Sequence, residues 1–402
     1  MGGPGREAPP TRSKWSLPWE SSDKDKNISI EPAPRPSTPL LVGITGLILV
    51  GAPLAGVWLA GQPLDAYLEL PPRPVPTVAA GFSWTAFCLL ATFVVAAVAP
   101  FVWRLLNAPA SALDPAKRRL AFPIWGWAAL LWLAVSWTLA WTRFSWFESF
   151  QQHTFTPLWL GYIVCVNALT MRRAGRCVLS REPARFAALF PLSALFWWFF
   201  EYLNRFVANW RYTGIEDFGA LEYTFFATLA FSTVLPAVTS TAEWLGTFPR
   251  PNAAFARWHP LRVPRPKVAA ALVLALTTLS LAALGVFREY VFPLVWISPV
   301  LIMICLQALG GRATVLAPLA SGDWRGIGSF TAAALVCGFL WEMWNTGSLA
   351  RWEYSIPFVD RFRLFEMPAL GYAGYLPFGI ECAAIAALVL DYRKRDRSRN
   401  IY

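Results

Sequence analysis

Residues 79–103 read AAGFSWTAFCLLATFVVAAVAPFVW, and the run ends on Arg104. Nothing in it carries a charge, and a transmembrane helix needs only about 20 predominantly apolar residues. It has no polar stripe with which a helix at a soluble surface would meet water. Comparable runs lie near 39–61, 120–142, 156–171, 186–208, 220–245, 268–286, 291–309, 328–348 and 369–390. The chain therefore reads as an all-α integral membrane protein of about ten transmembrane helices. The run near 156–171 is short, so the fourth span is expected to begin before Pro157, within the 146–156 stretch.

Composition agrees. Hydrophobic residues make up 56% of the 402 and charged ones only 15%, against about 25% charged in soluble domains. The 22 Trp fit a chain with two membrane–water interfaces, where indole rings concentrate. Residues 1–38 are rich in Pro, Ser and charge and read as a disordered cytoplasmic tail. Trp15 and Trp19 within it are expected to hang free of the membrane. The polytopic domain is 39–391, and 392–402 is a basic cytoplasmic tail. Neither a cleavable signal peptide nor a myristoylation signal is expected at the start.

The net charge of +11 is not an arm or face for nucleic acid. It alternates between connections, which is how basic residues fix orientation. Arg104, Lys117, Arg118 and Arg119 fall on one side. So do Arg172, Arg173, Arg176, Arg181 and Arg185; Arg250, Arg257, Arg262, Arg265 and Lys267; Arg312 and Arg325; and the final Arg393–Arg399 cluster. The intervening connections carry few: Arg73, Arg143, Arg211 and Arg288, with Arg351, Arg361 and Arg363 in a slightly richer ninth. Both termini are expected in the cytoplasm.

A motif recurs. Glu201-Tyr-Leu-Asn204 is followed by Trp210-Arg-Tyr212, then Glu222, Pro236 and Glu243. Glu342-Met-Trp-Asn345 is followed by Trp352-Glu-Tyr354, then Glu366, Pro377 and Glu381. Upstream, Phe150, Phe155 and Trp159 match Phe287, Phe292 and Trp296 in spacing. Self-similarity on this scale points to a duplicated unit. The expected layout is two lead helices followed by a tandem parallel repeat of four-helix units, near 120–245 and 268–391.

Glu201 and Glu342 are the leading candidates for chemistry. A charge at the bilayer centre costs at least ~2.5–3.5 kcal/mol, so each must face protein or water, pair, or hold a proton. Asn204 and Asn345 lie at i+3, on the same helix face, and are expected to orient the acid. Arg205 is the expected counter-ion of Glu201; Thr346 stands at that place beside Glu342, which is therefore expected to keep its proton. Trp210, Tyr212, Trp352 and Tyr354 are candidate substrate-binding residues, with Glu222, Glu366 and Glu381. Glu243 is expected at an exposed rim, and His153 and His259 in loops rather than as ligands. The bland alternatives are interhelical hydrogen bonds for the E-x-x-N pairs and an interfacial belt for the W-x-Y motifs.

Other chemistries find no residues. The six Cys form no CxxC pair, and two His are too few for a di-iron or haem bundle. Phosphate-binding, zinc-protease and nucleophile-elbow motifs do not occur. No metal or cofactor is expected. The spacing of Glu, aromatic and Pro positions resembles, in outline, membrane carotenoid-modifying enzymes of the lycopene cyclase and carotenoid hydratase type. That resemblance implies acidic residues protonating an isoprenoid double bond. The leading expectation is a membrane-embedded enzyme using buried carboxyls for acid/base chemistry on a hydrophobic lipid or isoprenoid. A proton-coupled transporter and a structural or assembly subunit are the alternatives. Membrane lipid and a hydrophobic small molecule are the expected partners, and nucleic acid is not.

Overall fold

In the computed structural model of the chain, residues 37–72, 79–108 and 120–390 are described. Residues 1–36 with Trp15 and Trp19, the 392–402 tail, Arg73 and the Lys117–Arg119 cluster lie outside them. Among the described residues eight helices are long and apolar enough to cross a membrane, and up to ten if each of two bent pairs is one span. The chain is a multi-pass α-helical membrane protein.

The lead is α1 (Thr38–Leu59), the short α2 (Asp65–Leu68) and α3 (Trp84–Leu106). Then come α4 (Ile124–Trp141), α5 (Phe155–Ala174), the one-turn α6 (Val178–Arg181) and α7 (Pro183–Val207). Strand β1 (Trp210–Thr213) follows, with α8 (Ala220–Phe231), α9 (Val234–Leu245) and α10 (Pro249–Phe255). The last part holds α11 (Pro266–Ala282), α12 (Arg288–Val291), α13 (Ser298–Leu309), α14 (Arg325–Gly347), β2 (Arg351–Tyr354), β3 (Arg363–Leu364), β4 (Met367–Pro368) and α15 (Tyr375–Ala386).

Helix α5 starts at Phe155, ahead of Pro157, and a 3-10 segment, Ser145–His153, runs into it with a bend of 72°. The same device recurs later, where Arg288–Trp296 meets α13 at 59°. Helices α8 and α9 form one span, Ala220–Leu245.

In lipid, helix association relies on close packing and polar contacts rather than on water exclusion. The centre of the bundle is accordingly dense with rings. Phe378 and Phe200 are fully buried, Phe200 stacks on Trp296 at 5.2 Å, and Phe196 stacks on Phe378 at 5.9 Å. Helices α14 and α15 approach closely at Gly379, where a Cβ would lie 2.5 Å from the Phe330 carbonyl oxygen. By contrast α3 has no buried residue. It is tied down at its ends, where Ser83 donates its N–H to the Phe358 carbonyl and Arg104 reaches the Ala254 and Arg257 carbonyls.

Polar groups inside the bundle find partners. Tyr162 hydroxyl meets Thr241 Oγ1 at 2.8 Å, and Asn167 donates to Ser240 Oγ at 2.8 Å. Glu243 is not an exposed rim residue. It is buried, accepts the Val178 N–H at 2.6 Å and pairs with Arg181 at 2.7 Å. The one-turn helix α6 brings Arg181 to it, an arrangement that distance along the chain concealed. All six cysteines are free thiols, and only Cys88 is exposed.

Candidate functional site

The two W-x-Y motifs pair with each other. Strands β1 and β2 are antiparallel, with Trp210 opposite Tyr354 and Tyr212 opposite Trp352. Side chains alternate along a strand, so the Trp and Tyr of both strands share one face. Arg211 and Glu353 occupy the other and pair at 3.0 Å, and Arg351 reaches the same carboxylate at 3.3 Å. The hydrogen bond from Arg211, supported by Arg351, holds the Glu353 carboxyl below the usual range.

Each strand is fastened by the Asn that precedes it in the chain. Asn204 accepts the Asn209 N–H at 2.9 Å and donates to the Trp210 carbonyl at 2.8 Å. Asn345 accepts the Trp352 N–H at 2.8 Å and donates to the Trp352 carbonyl at 2.7 Å. A side-chain amide carries the same donor–acceptor pair as a peptide, so it serves as a short strand partner. The amides therefore hold the strands; no hydrogen bond joins either to its neighbouring Glu. The unequal gaps are absorbed at the helix ends. Helix α7 stops at Ala208 in the left-handed region, φ 50°, whereas α14 continues through Gly347.

So fastened, the strands bring their aromatic donors onto the carboxyls. Glu201, fully buried on α7, takes the Tyr212 hydroxyl at 2.6 Å, the Trp197 indole at 3.0 Å and the Trp210 indole at 3.1 Å, all on Oε1. Glu342, fully buried on α14, takes the hydroxyls of Tyr354 and Tyr375, each at 2.8 Å, again on Oε1. In both residues Oε2 is buried and accepts no hydrogen bond from protein. Burial holds the Tyr212 and Tyr354 hydroxyls well above the usual tyrosine range, so both stay donors.

Arg205 is not the counter-ion of Glu201. Its guanidinium turns to the Ala66 and Glu69 carbonyls beside α2. One residue past Asn204 on the helix, it lies about 100° around from that face, and the α2 segment offered it acceptors.

The two carboxyl sites differ four residues before the Glu. There the first has Trp197, which reaches Glu201 along its own helix. The second has Gly338, where a Cβ would lie 2.4 Å from the Tyr375 ring. The missing side chain admits Tyr375 from α15. Sequence alone left out both donors. The W-x-x-x-E spacing of Trp197 was a usable signal; Tyr375 comes from another helix and had none.

A cavity of about 150 Å³ lies against these donors. Trp197, Trp210, Tyr212, Trp352, Tyr354 and Tyr375 line it, with Trp296, Trp341, Tyr223 and the inner face of α8. The carboxyls themselves stand one layer behind this lining. His153 is more than a loop residue: it lines the cavity and stacks on Phe226 at 3.9 Å. His259 lies elsewhere, its carbonyl accepting the Trp324 indole.

The remaining candidates, Glu222, Glu366 and Glu381, do not line the cavity. Glu222 is exposed at the start of α8, and Glu366 lies 3.9 Å from Arg363. Glu381 is buried between α13 and α15 and accepts the Val300 N–H at 3.1 Å, near the start of α13. That position suits a helix N-terminus, whose N–H groups lack intrahelical acceptors. Among the described residues no three His, Cys, Asp or Glu side chains converge as a metal-ligand set. No family model, curated protein or solved structure matches the chain.

Proposed function

We propose that the chain is a membrane-embedded enzyme whose aromatic cavity holds a hydrophobic lipid or isoprenoid, with Glu342 as the acid and Glu201 as its partner carboxyl. One observation carries this reading: two fully buried carboxyls each gather phenol or indole donors on one oxygen, and those donors line the same cavity. Glu342 has Tyr354 and Tyr375, both cavity-lining, as its hydrogen-bonded contacts with the substrate space. With no cation bonded to it, Glu342 is assigned the protonated form, the cheaper one in an apolar bundle. The Tyr354 or Tyr375 hydroxyl, turning from Glu342 to the cavity, gives its proton to a substrate double bond and is reprotonated by Glu342; the substrate cation then loses a proton back along the same route, which restores the acid.

The duplication belongs to this proposal. The two units near 120–245 and 268–391 are read as parallel copies that meet at the strands. Three parallels support it: reciprocal strand register, Asn fastening of each Trp, and a bent entry to the fourth and eighth spans. Trp159 of one copy contacts Trp341, the residue before Glu342, at 5.0 Å. Trp296 of the other contacts Phe200, the residue before Glu201, at 5.2 Å. Sites between such copies also occur in carriers, and a proton-coupled transporter is the second reading.

The test compares lipid extracts of cells lacking the chain with cells carrying the wild type or Glu342→Gln. Gln keeps shape and hydrogen bonding but removes the acid. The enzyme reading expects one lipid to accumulate in the deletion and in Glu342→Gln alike, with the variant protein present at normal levels in the membrane. A Glu342→Gln profile identical to wild type contradicts the acid role. The alternating basic residues support cytoplasmic termini. On that topology, a cysteine at Arg262 is labelled only after the membrane is opened; labelling from outside intact cells reverses it.

A further inference from the structure

The cavity lining is unusual in what it is made of. Five indoles, Trp197, Trp210, Trp296, Trp341 and Trp352, face it together with tyrosines. An aromatic ring carries negative charge on its face and positive charge at its edge. A compact cation placed among several such faces is attracted to all of them, most strongly when water is excluded. Trp197, Trp210 and Tyr212 spend their polar hydrogens on Glu201, and Tyr354 and Tyr375 spend theirs on Glu342. Their donors therefore point away from a ligand. Donation to a carboxyl polarises a ring further and makes its face a better acceptor of positive charge.

The surroundings favour the same sign. Glu201, with three donors on Oε1, is the carboxyl assigned the charged form behind the lining, while Glu342 keeps its proton. Among the described residues Arg351 is the only guanidinium on the lining, and it is bonded to Glu353. His153 is stacked on Phe226.

We propose that this cavity binds a compact organic cation of the alkylammonium type, so that the ligand of the site is an amine-bearing lipid or small molecule. The proposal rests on the cavity being a binding site, and it narrows the ligand by charge. Among hydrophobic lipids, one that bears an ammonium group uses the aromatic lining and the Glu201 carboxyl together.

The probe pair is choline and 3,3-dimethylbutan-1-ol, which share a shape and differ by carbon in place of the charged nitrogen. Binding of each to the purified full-length chain is measured by calorimetry. Choline is expected to bind at least about tenfold tighter than the alcohol, within the range measured for desolvated cation–aromatic contacts. Trp352→Leu is expected to remove most of that preference, and its melting temperature reports whether it has folded. Equal affinity for the two probes, lost in Trp352→Leu, overturns the charge preference while leaving the cavity a binding site. If neither probe binds at millimolar concentration, both the preference and the cavity reading fall. A preference for choline that persists unchanged in Trp352→Leu and in Glu201→Gln places the cation elsewhere and overturns the proposal.

Discussion

A single missing side chain sets the difference between the two carboxyl sites. At Gly338 the Tyr375 ring occupies the space a Cβ would need, with atoms 2.4–2.7 Å from it. The Glu342–Tyr375 bond at 2.8 Å depends on that space. Gly338→Ala is therefore expected to destabilise the protein by ~1–3 kcal/mol, the usual cost of overpacking. Thermal melting in detergent measures it. Tyr375→Ala should make the loss less than additive, because the two changes share one contact; full additivity would mean the ring has another place to go. Some of the residue scale was legible beforehand. Glu201 and Glu342 stood out because a carboxyl inside an apolar run needs a reason. Their donors were only half legible, since Tyr212 and Tyr354 lay in a repeated motif but Tyr375 belongs to a helix distant in sequence. Arg205 misled because a neighbour in sequence is a neighbour in space only on the right helix face. Glu243 misled because its partner Arg181 is supplied by a single turn of helix that no hydropathy pattern marks.

Strands β1 and β2 are short, and an isolated two-stranded pair is marginal in water. Their stability comes from the amides at their starts and the ring contacts beneath. Removing Asn204 leaves the Asn209 N–H and the Trp210 carbonyl without that partner, removing Asn345 does the same to the Trp352 N–H and carbonyl, and an unmade buried hydrogen bond costs ~1–3 kcal/mol. Asn204→Ala is expected to free the 209–213 segment and Asn345→Ala the 351–354 segment. Hydrogen exchange read peptide by peptide measures this. Each variant should lose protection in both strands, because each strand is the other's only ladder partner. Loss confined to one strand would show that packing, not pairing, holds them. The helices were readable from apolar runs because a span must be long and uncharged, and their order and approximate limits follow directly. The bends before α5 and α13 were not readable as angles, although the short fourth run and Pro157 signalled an irregular entry. The strand pair was not readable at all: nothing in a W-x-Y motif says that its partner is the other W-x-Y, 142 residues away.

At the scale of the molecule, two parts of the chain meet at the β1–β2 pair. Each half contributes a helix with a buried Glu, an Asn that fastens a strand, and a strand whose Trp and Tyr close on the cavity. Trp159 and Trp296 cross from each half to the helix of the other. Membrane segments could be predicted one at a time; the site could not, because it belongs to neither half alone. The most direct measurement is therefore of the junction itself. In a chain with its native cysteines replaced, Arg211→Cys is combined with Glu353→Cys, residues directly opposite in the strand register. Opposed strand residues lie ~4.5–5.5 Å apart between Cα atoms, within the range a disulfide spans. Oxidation of the purified protein should give an intramolecular disulfide in this pair, and far less of it when Arg211→Cys is combined with Arg363→Cys. Failure of the opposed pair to form, or equal yield from the second pair, would contradict the joining of the two motifs on which the site is built.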